Sequence, residues 1–193
     1  MARKIRERKL KTPNVTIIGE GLTERCYFKH LKSLKGYRYT CKPRNFSQQS
    51  IDDLQKQIDK VLADDGVAVC IFDADVTRDK PTEKKKLEAM QNKYDGNEQV
   101  VLCDSMPSIE FWFLIHYLNT NKYFASSTDV IKILRKYLPD FSKHETYLSK
   151  EKWVIDMITD GKLDIAMGRA KAFGTTGESY SNIYKAFEKF TEL

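Results

Sequence analysis

The sequence predicts an α/β fold: a mostly parallel four-stranded sheet with helices on both faces, followed by an α-helical C-terminal part. Three observations carry this. Two short, unbroken apolar runs, Val15-Thr-Ile-Ile-Gly19 and Val67-Ala-Val-Cys-Ile-Phe72, read as strands buried on both faces, as parallel sheets require. Stretches of helical spacing separate the strand-like runs and give the order β-α-β-α-β-α-β up to Cys103. Beyond Asp104 the strand-like runs stop and helical periodicity takes over.

Residues 1–13 form a basic arm closed by Pro13, either a phosphate-binding arm or a solvated tail. The first strand is Val15 to Gly19, and Gly19 and Gly21 permit a tight turn and close backbone approach. Thr23 is placed as the cap of a helix to Lys35 with Tyr27, Phe28, Leu31 and Leu34 on one face. Gly36 stops it, and Tyr37 to Lys42 alternates as a second strand. Ser50 or Asp52 opens a helix to Ala63, and Asp64-Asp65-Gly66 turns the chain into the strand Val67 to Phe72. A polar loop, Asp73 to Lys80, leads to Pro81 at the start of an exposed, charged helix to Tyr94. The fourth strand is Glu98 to Cys103.

Next comes a buried aromatic helix, with Ser105 as its cap and Pro107 in its first turn. Further helices are expected over Thr128–Tyr137, Lys150–Thr159, Leu163–Ala172 and Ser181–Glu192. The domain reading is an arm (1–13), an α/β core (14–104) and a helical extension packed on it (105–193).

The formal net charge of +6 suits a nucleic-acid partner, and equally suits solubility alone. Cys26, Cys41, Cys70 and Cys103 show no CxxC spacing, so a zinc site is not expected; Cys41, Cys70 and Cys103 sit in apolar or strand-like runs and are expected to be buried reduced thiols. With no signal peptide and no apolar run of membrane-spanning length, a cytoplasmic location and no membrane partner are expected.

In a parallel sheet, ligands gather at the carboxyl ends of the strands. Glu20, Asp73, Asp75 and Asp104 all fall there. Magnesium takes oxygen ligands and usually one or two carboxylates, and manganese can take its place at such a site. Asp73 and Asp75, at alternate positions beyond a strand end, can reach one cation. Glu20 either completes that site or acts as a general base. Asp79 and Glu24 support these ligands or hold a second ion, and Lys80, Arg78 and Arg44 are candidates to hold phosphate oxygens. Each acid has a plainer reading: an aspartate after a strand is often a cap or turn residue, and Asp104 or Ser105 can simply cap the next helix. Glu110 either meets the helix dipole or points into the site as a buried acid, and His116 is either a catalytic group or a satisfied core histidine. Gly19-Glu-Gly21 is not a dinucleotide fingerprint, because the third glycine is missing.

The segment Ile17-Ile-Gly-Glu-Gly-Leu-Thr-Glu-Arg-Cys-Tyr-Phe28 resembles the opening motif of the RloB-like family. Phe72-Asp-Ala-Asp75 resembles its acidic pair, and Ser105-Met-Pro-Ser-Ile-Glu-Phe-Trp-Phe-Leu-Ile-His-Tyr117 its third motif. Met106 stands where the family commonly has Asn, and Ile109 where it has Phe. That family is similar to the Toprim domain of topoisomerases, primases and OLD-type nucleases. The resemblance implies a magnesium-binding glutamate and DxD pair, here Glu20, Asp73 and Asp75. It also implies a role in phage defence beside restriction–modification genes, with DNA or RNA (transfer RNA included) as substrate. An ATPase or restriction-system partner and a homo-oligomer are open alternatives that the sequence does not decide. The function expected is thus a magnesium-dependent nuclease. A non-catalytic binding module for nucleic acid or a partner, and a small-nucleotide phosphohydrolase, stand as alternatives.

Overall fold

The computed structural model describes residues 14–19, 21–43, 50–75, 80–174 and 178–192. The arm, Glu20, Arg44, Arg78 and Asp79 lie outside the described residues. The strands are β1 (Val15–Gly19), β2 (Thr40–Pro43), β3 (Val67–Asp73), β4 (Val100–Met106) and β5 (Tyr180–Ser181). They form one sheet in the order β2-β1-β3-β4-β5. The first four are parallel, and β5 is antiparallel to β4. The mixed α/β class is as expected. The sheet has five strands rather than four, because a two-residue strand from the C-terminal half joins its edge. Two residues are too short for any period to register in sequence.

The helices are α1 (Leu22–Lys35), α2 (Ile51–Ala63), α3 (Pro81–Lys93), α4 (Ile109–Leu114), α5 (Ser127–Leu134), α6 (Glu145–Leu148), α7 (Lys152–Ile158), α8 (Lys162–Phe173) and α9 (Tyr184–Glu192). Most match the sequence periodicity to within a few residues, and the single-turn α6 had not been foreseen. Three start signals are corrected. Gly21, not Thr23, is the N-cap of α1. Asp104 and Ser105 lie inside β4, which runs on to Met106, so neither caps a helix. Pro107 precedes α4, whose N-cap is Ser108, and so is not in its first turn.

Period-two alternation divides the strand side chains between two cores. Val15, Ile17, Val67, Val69, Ile71 and Cys103 pack on the face covered by α1 and the C-terminal helices. Ile18, Ala68, Cys70, Phe72 and Val100 pack on the other face, against Leu54 and Ile58 of α2 and Leu87 and Met90 of α3. The first core is aromatic: Trp112 of α4 donates its Nε1–H to the Tyr27 hydroxyl of α1 at 2.9 Å, and both side chains are fully buried. Burial pushes the Tyr27 phenol far up, so it stays neutral.

The alternation also decides which strand-end acids meet. Asp73 continues the Val69–Ile71 face and so points to the α1 side. Asp104 is in register with Phe72, so its side chain leaves from the α2–α3 face. There it accepts hydrogen bonds from the Tyr180 hydroxyl at 2.8 Å and from Asn182 Nδ2 at 2.7 Å. Asp104 therefore fastens β5 to the sheet.

Replacing Asp104 with Ala should leave two buried donors without their acceptor. It is expected to cost about 2–4 kcal/mol in urea unfolding, against about 1 kcal/mol for Tyr180→Phe. An Asp104→Ala protein as stable as the parent would remove this carboxylate from the account of β5.

Candidate functional site

β1 ends at Gly19, in register with Ile71, and β3 ends two residues later at Asp73. The chain beyond Gly19 and the Asp73-Ala-Asp75 segment thus leave neighbouring strands at the same end of the sheet. A Cβ added at Gly19 would meet Glu24 Cβ at 3.0 Å, tighter than ordinary van der Waals contact. Glycine there lets the first turn of α1 lie close against the strand end, which places Glu24 beside it. The Glu24 carboxylate is 5% exposed and accepts the Gly21 N–H at 2.8 Å, helping to satisfy the helix start.

From the next strand, Asp73 Oδ1 accepts the Ile109 N–H at 2.9 Å. A β3 carboxylate thereby anchors the first residue of α4 and fixes where Glu110 goes. Glu110 is fully buried, and Ser108 Oγ donates to its Oε2 at 2.6 Å. Its Oε1 lies 2.9 Å from the ammonium of Lys143 in an ion pair. Lys143 reaches in from the segment between α5 and α6, with its side chain half exposed. Burial lowers its pKa, but the charges of Glu110, Asp73 and Glu24 outweigh that, and the net shift is upward. Glu110 is the acid in contact with this cation.

The other expected site residues fall elsewhere. Asp75 is exposed in the turn after β3. Lys80 is exposed at the N-cap of α3, and Asp104 serves β5 on the opposite face. His116 is 2% exposed in the aromatic core, edge-on to Trp112, and its Nδ1–H donates to the Trp112 carbonyl at 2.8 Å. Burial depresses its pKa to about 4, so the ring is neutral near pH 7.

Sequence reading missed Lys143 and gave Ser108 no role. Lys143 sits in Ser142-Lys-His144, 33 positions after Glu110 by residue number, with no period or motif to mark it. Ser108 was within reach, since a hydroxyl two residues before a buried acid is a natural donor.

Among the described residues no group of three His, Cys, Asp or Glu side chains stands close enough to hold a metal ion. The donors at this edge are nonetheless hard oxygens, the kind magnesium takes. The four thiols are free, and burial raises those of Cys26, Cys41 and Cys103. No helix among the described residues is long and apolar enough to cross a membrane.

The sequence model of the RloB-like proteins matches residues 15–192, so the chain belongs to the RloB-like family. No curated protein and no solved structure matches it.

The buried neutral His116 makes acid stability a direct readout of this geometry. Its folded pKa, about 4, lies below the unfolded value near 6.5, so its contribution is complete above pH 6.5 and is lost as pH falls toward 4. His116→Gln should flatten that part of the stability–pH curve, removing a dependence of order 3 kcal/mol. Identical curves for the two proteins between pH 4 and 6.5 would contradict this assignment.

Proposed function

We propose that this member of the RloB-like family is a magnesium-dependent nuclease on a Toprim-like core, hydrolysing phosphodiester bonds of DNA or RNA in phage defence. The observation that supports it best is that buried Glu24, Asp73 and the Glu110–Lys143 ion pair stand at the starts of α1 and α4 and at the end of β3, by the carboxyl edge of a parallel sheet. Ligand sites of open α/β sheets lie at this edge. Glu20 and Asp75 are the chain neighbours of the two strand ends that build it.

Glu20, Asp73 and Asp75 are the residues assigned to hold magnesium, with Asp79 beside them. When bound, the ion would polarise the phosphate and lower the pKa of an attacking water. The chain's own groups have separate tasks. Ser108 and Lys143 hold the buried Glu110 carboxylate, and Glu110 in return keeps the ammonium among the acids. With its half-exposed side chain, Lys143 can turn a donor toward a phosphate oxygen. His116, neutral and enclosed, holds the α4 backbone rather than moving a proton.

A polymeric substrate also needs a path to the site. Arg25, Lys29 and Lys32 are exposed on α1 and outnumber the one acid, Glu145, lining a groove of about 470 Å³. From residue 25 to residue 32 the helix rises about 10 Å, which gives a basic stripe running away from Glu24. Cationic side chains in such a stripe can each meet one backbone phosphate.

Two measurements test this reading. Glu20→Ala, and separately Asp73→Ala with Asp75→Ala, should abolish magnesium-dependent cleavage of oligonucleotides while circular dichroism stays native. Cleavage that survives in both variants excludes the assigned site. Charge removal at Arg25, Lys29 and Lys32 should weaken oligonucleotide binding in the presence of chelator and lower the log–log salt slope by about one unit for each lost phosphate contact. An unchanged slope would place the nucleic acid elsewhere.

A further inference from the structure

Two hollows open on either side of one ridge of chain, residues 145–150. The basic groove on α1 is one of them, and Glu145 and Ser149 line it from the ridge. The other is a cleft of about 380 Å³. Tyr147 and Lys150 line it from the same ridge, Tyr137 and Asp140 from the turn after α5, and Trp153 and Asp156 from α7. Its size is at the small end for a site that holds one small molecule. The Leu148 carbonyl ties the hollows together. His30 Nε2–H, from the α1 groove, donates to it at 2.8 Å, and Trp153 Nε1–H, from the cleft, donates to it at 3.2 Å. The ridge is thus pinned from both sides.

The walls of the cleft are aromatic. Tyr137 is 41% exposed, and its ring is stacked on Tyr117 with 5.3 Å between centroids and 13° between planes. One face of the ring is covered, and Tyr137 lines the cleft with what remains. Tyr147 and the buried Trp153 lie 6.2 Å apart between centroids, tilted by 36°. Rings already held by their neighbours lose little freedom when another ring stacks on them.

We propose that this cleft takes one unpaired base of a nucleic-acid strand, an inference that rests on the nuclease reading above, and hence that the strand is single where it crosses residues 145–150. Stacking of a base on an aromatic side chain is tolerant of sequence, because every base has a π-face. The polar groups suit a base rather than a phosphate. Asp140 is exposed at the cleft and repels a phosphate, but its carboxylate accepts the N–H groups that bases carry on their edges. Asp156 is balanced by Lys152, whose ammonium lies 3.1 and 3.0 Å from its two oxygens. Burial, and then the charges of Asp140 and Asp156, push the Tyr147 phenol up to about 12, so it stays a neutral donor. Lys150 is exposed on the ridge, where it can meet a phosphate of a strand passing from the α1 groove. In a duplex the bases are stacked and paired, so none reaches the cleft without unpairing.

Binding of the full chain in chelator, to a single strand carrying a fluorescent base analogue that is quenched on stacking, tests this. The strand should bind with quenching, and its fully paired duplex about tenfold more weakly. Tyr137→Ala should weaken single-strand binding about tenfold and relieve the quenching, while Tyr137→Phe binds as the parent does. The log–log salt slope should stay unchanged in both variants, because no phosphate contact is lost. Tyr137 is exposed, so its replacement does not threaten the fold. A strand of abasic sugars should bind the parent and Tyr137→Ala alike. Single-strand binding indifferent to Tyr137→Ala, duplex binding as tight as single-strand binding, or no binding at all overturns the cleft. So does a free nucleotide that competes as strongly as the strand, which would mark a small-molecule site. The two readings fail separately. Base-dependent binding without cleavage in magnesium removes the nuclease and keeps the cleft, whereas cleavage with binding indifferent to Tyr137 removes the cleft and keeps the nuclease.

Discussion

Carboxylates brought together at one end of a sheet repel each other and lose hydration, and the structure around this edge depends on offsetting that cost. The Glu110–Lys143 ion pair is the main compensation. A fully buried carboxylate without a cation is strongly destabilising, whereas one that keeps a cation and a hydroxyl donor is tolerated. Ser108 supplies the hydroxyl. The remaining acids are treated similarly with backbone donors, Glu24 by the Gly21 N–H and Asp73 by the Ile109 N–H. The same bonds that make the acids tolerable also fix the starts of α1 and α4, so local stability and site geometry have a common origin.

The aromatic core carries this arrangement into the rest of the protein. Trp112 is two residues from Glu110, Tyr27 is three from Glu24, and their side chains are hydrogen-bonded inside the core. The two helices that present buried acids are thus cross-linked just behind those acids. His116 closes the next turn by donating to the Trp112 carbonyl. A shift of α1 against α4 would break a buried hydrogen bond and disturb close-packed rings, so the acids are held with little freedom.

The two ends of β4 are handled differently along the outer side of the sheet. β5, short and antiparallel, covers only the last two residues of β4 and is held by Asp104. Holding it uses an acid at the strand end that would otherwise add negative charge near the site. On this side Leu102 of β4 has no strand opposite it among the described residues, while the Asp104 carbonyl is already bonded to the Asn182 N–H.

Local pattern determined much of this protein. The apolar runs at Val15 and Val67 specified buried parallel strands, and helical spacing specified α1, α2, α3 and α8, because burial on both faces or on one stripe leaves a periodic trace in sequence. The position of Asp73 at a strand end was equally legible. Which acids share a space was not. Asp73 and Asp104 look equivalent in sequence, yet register and pleat send them to opposite faces. Lys143 comes from a segment with no period of its own and reaches the acids only through the packing of the C-terminal helices. β5 is two residues long and exists because Asp104, Tyr180 and Asn182 meet across 76 and 78 positions of chain. Periodicity records which face of an element is buried. It does not record which residues far apart in sequence face one another, and that only the tertiary structure decided.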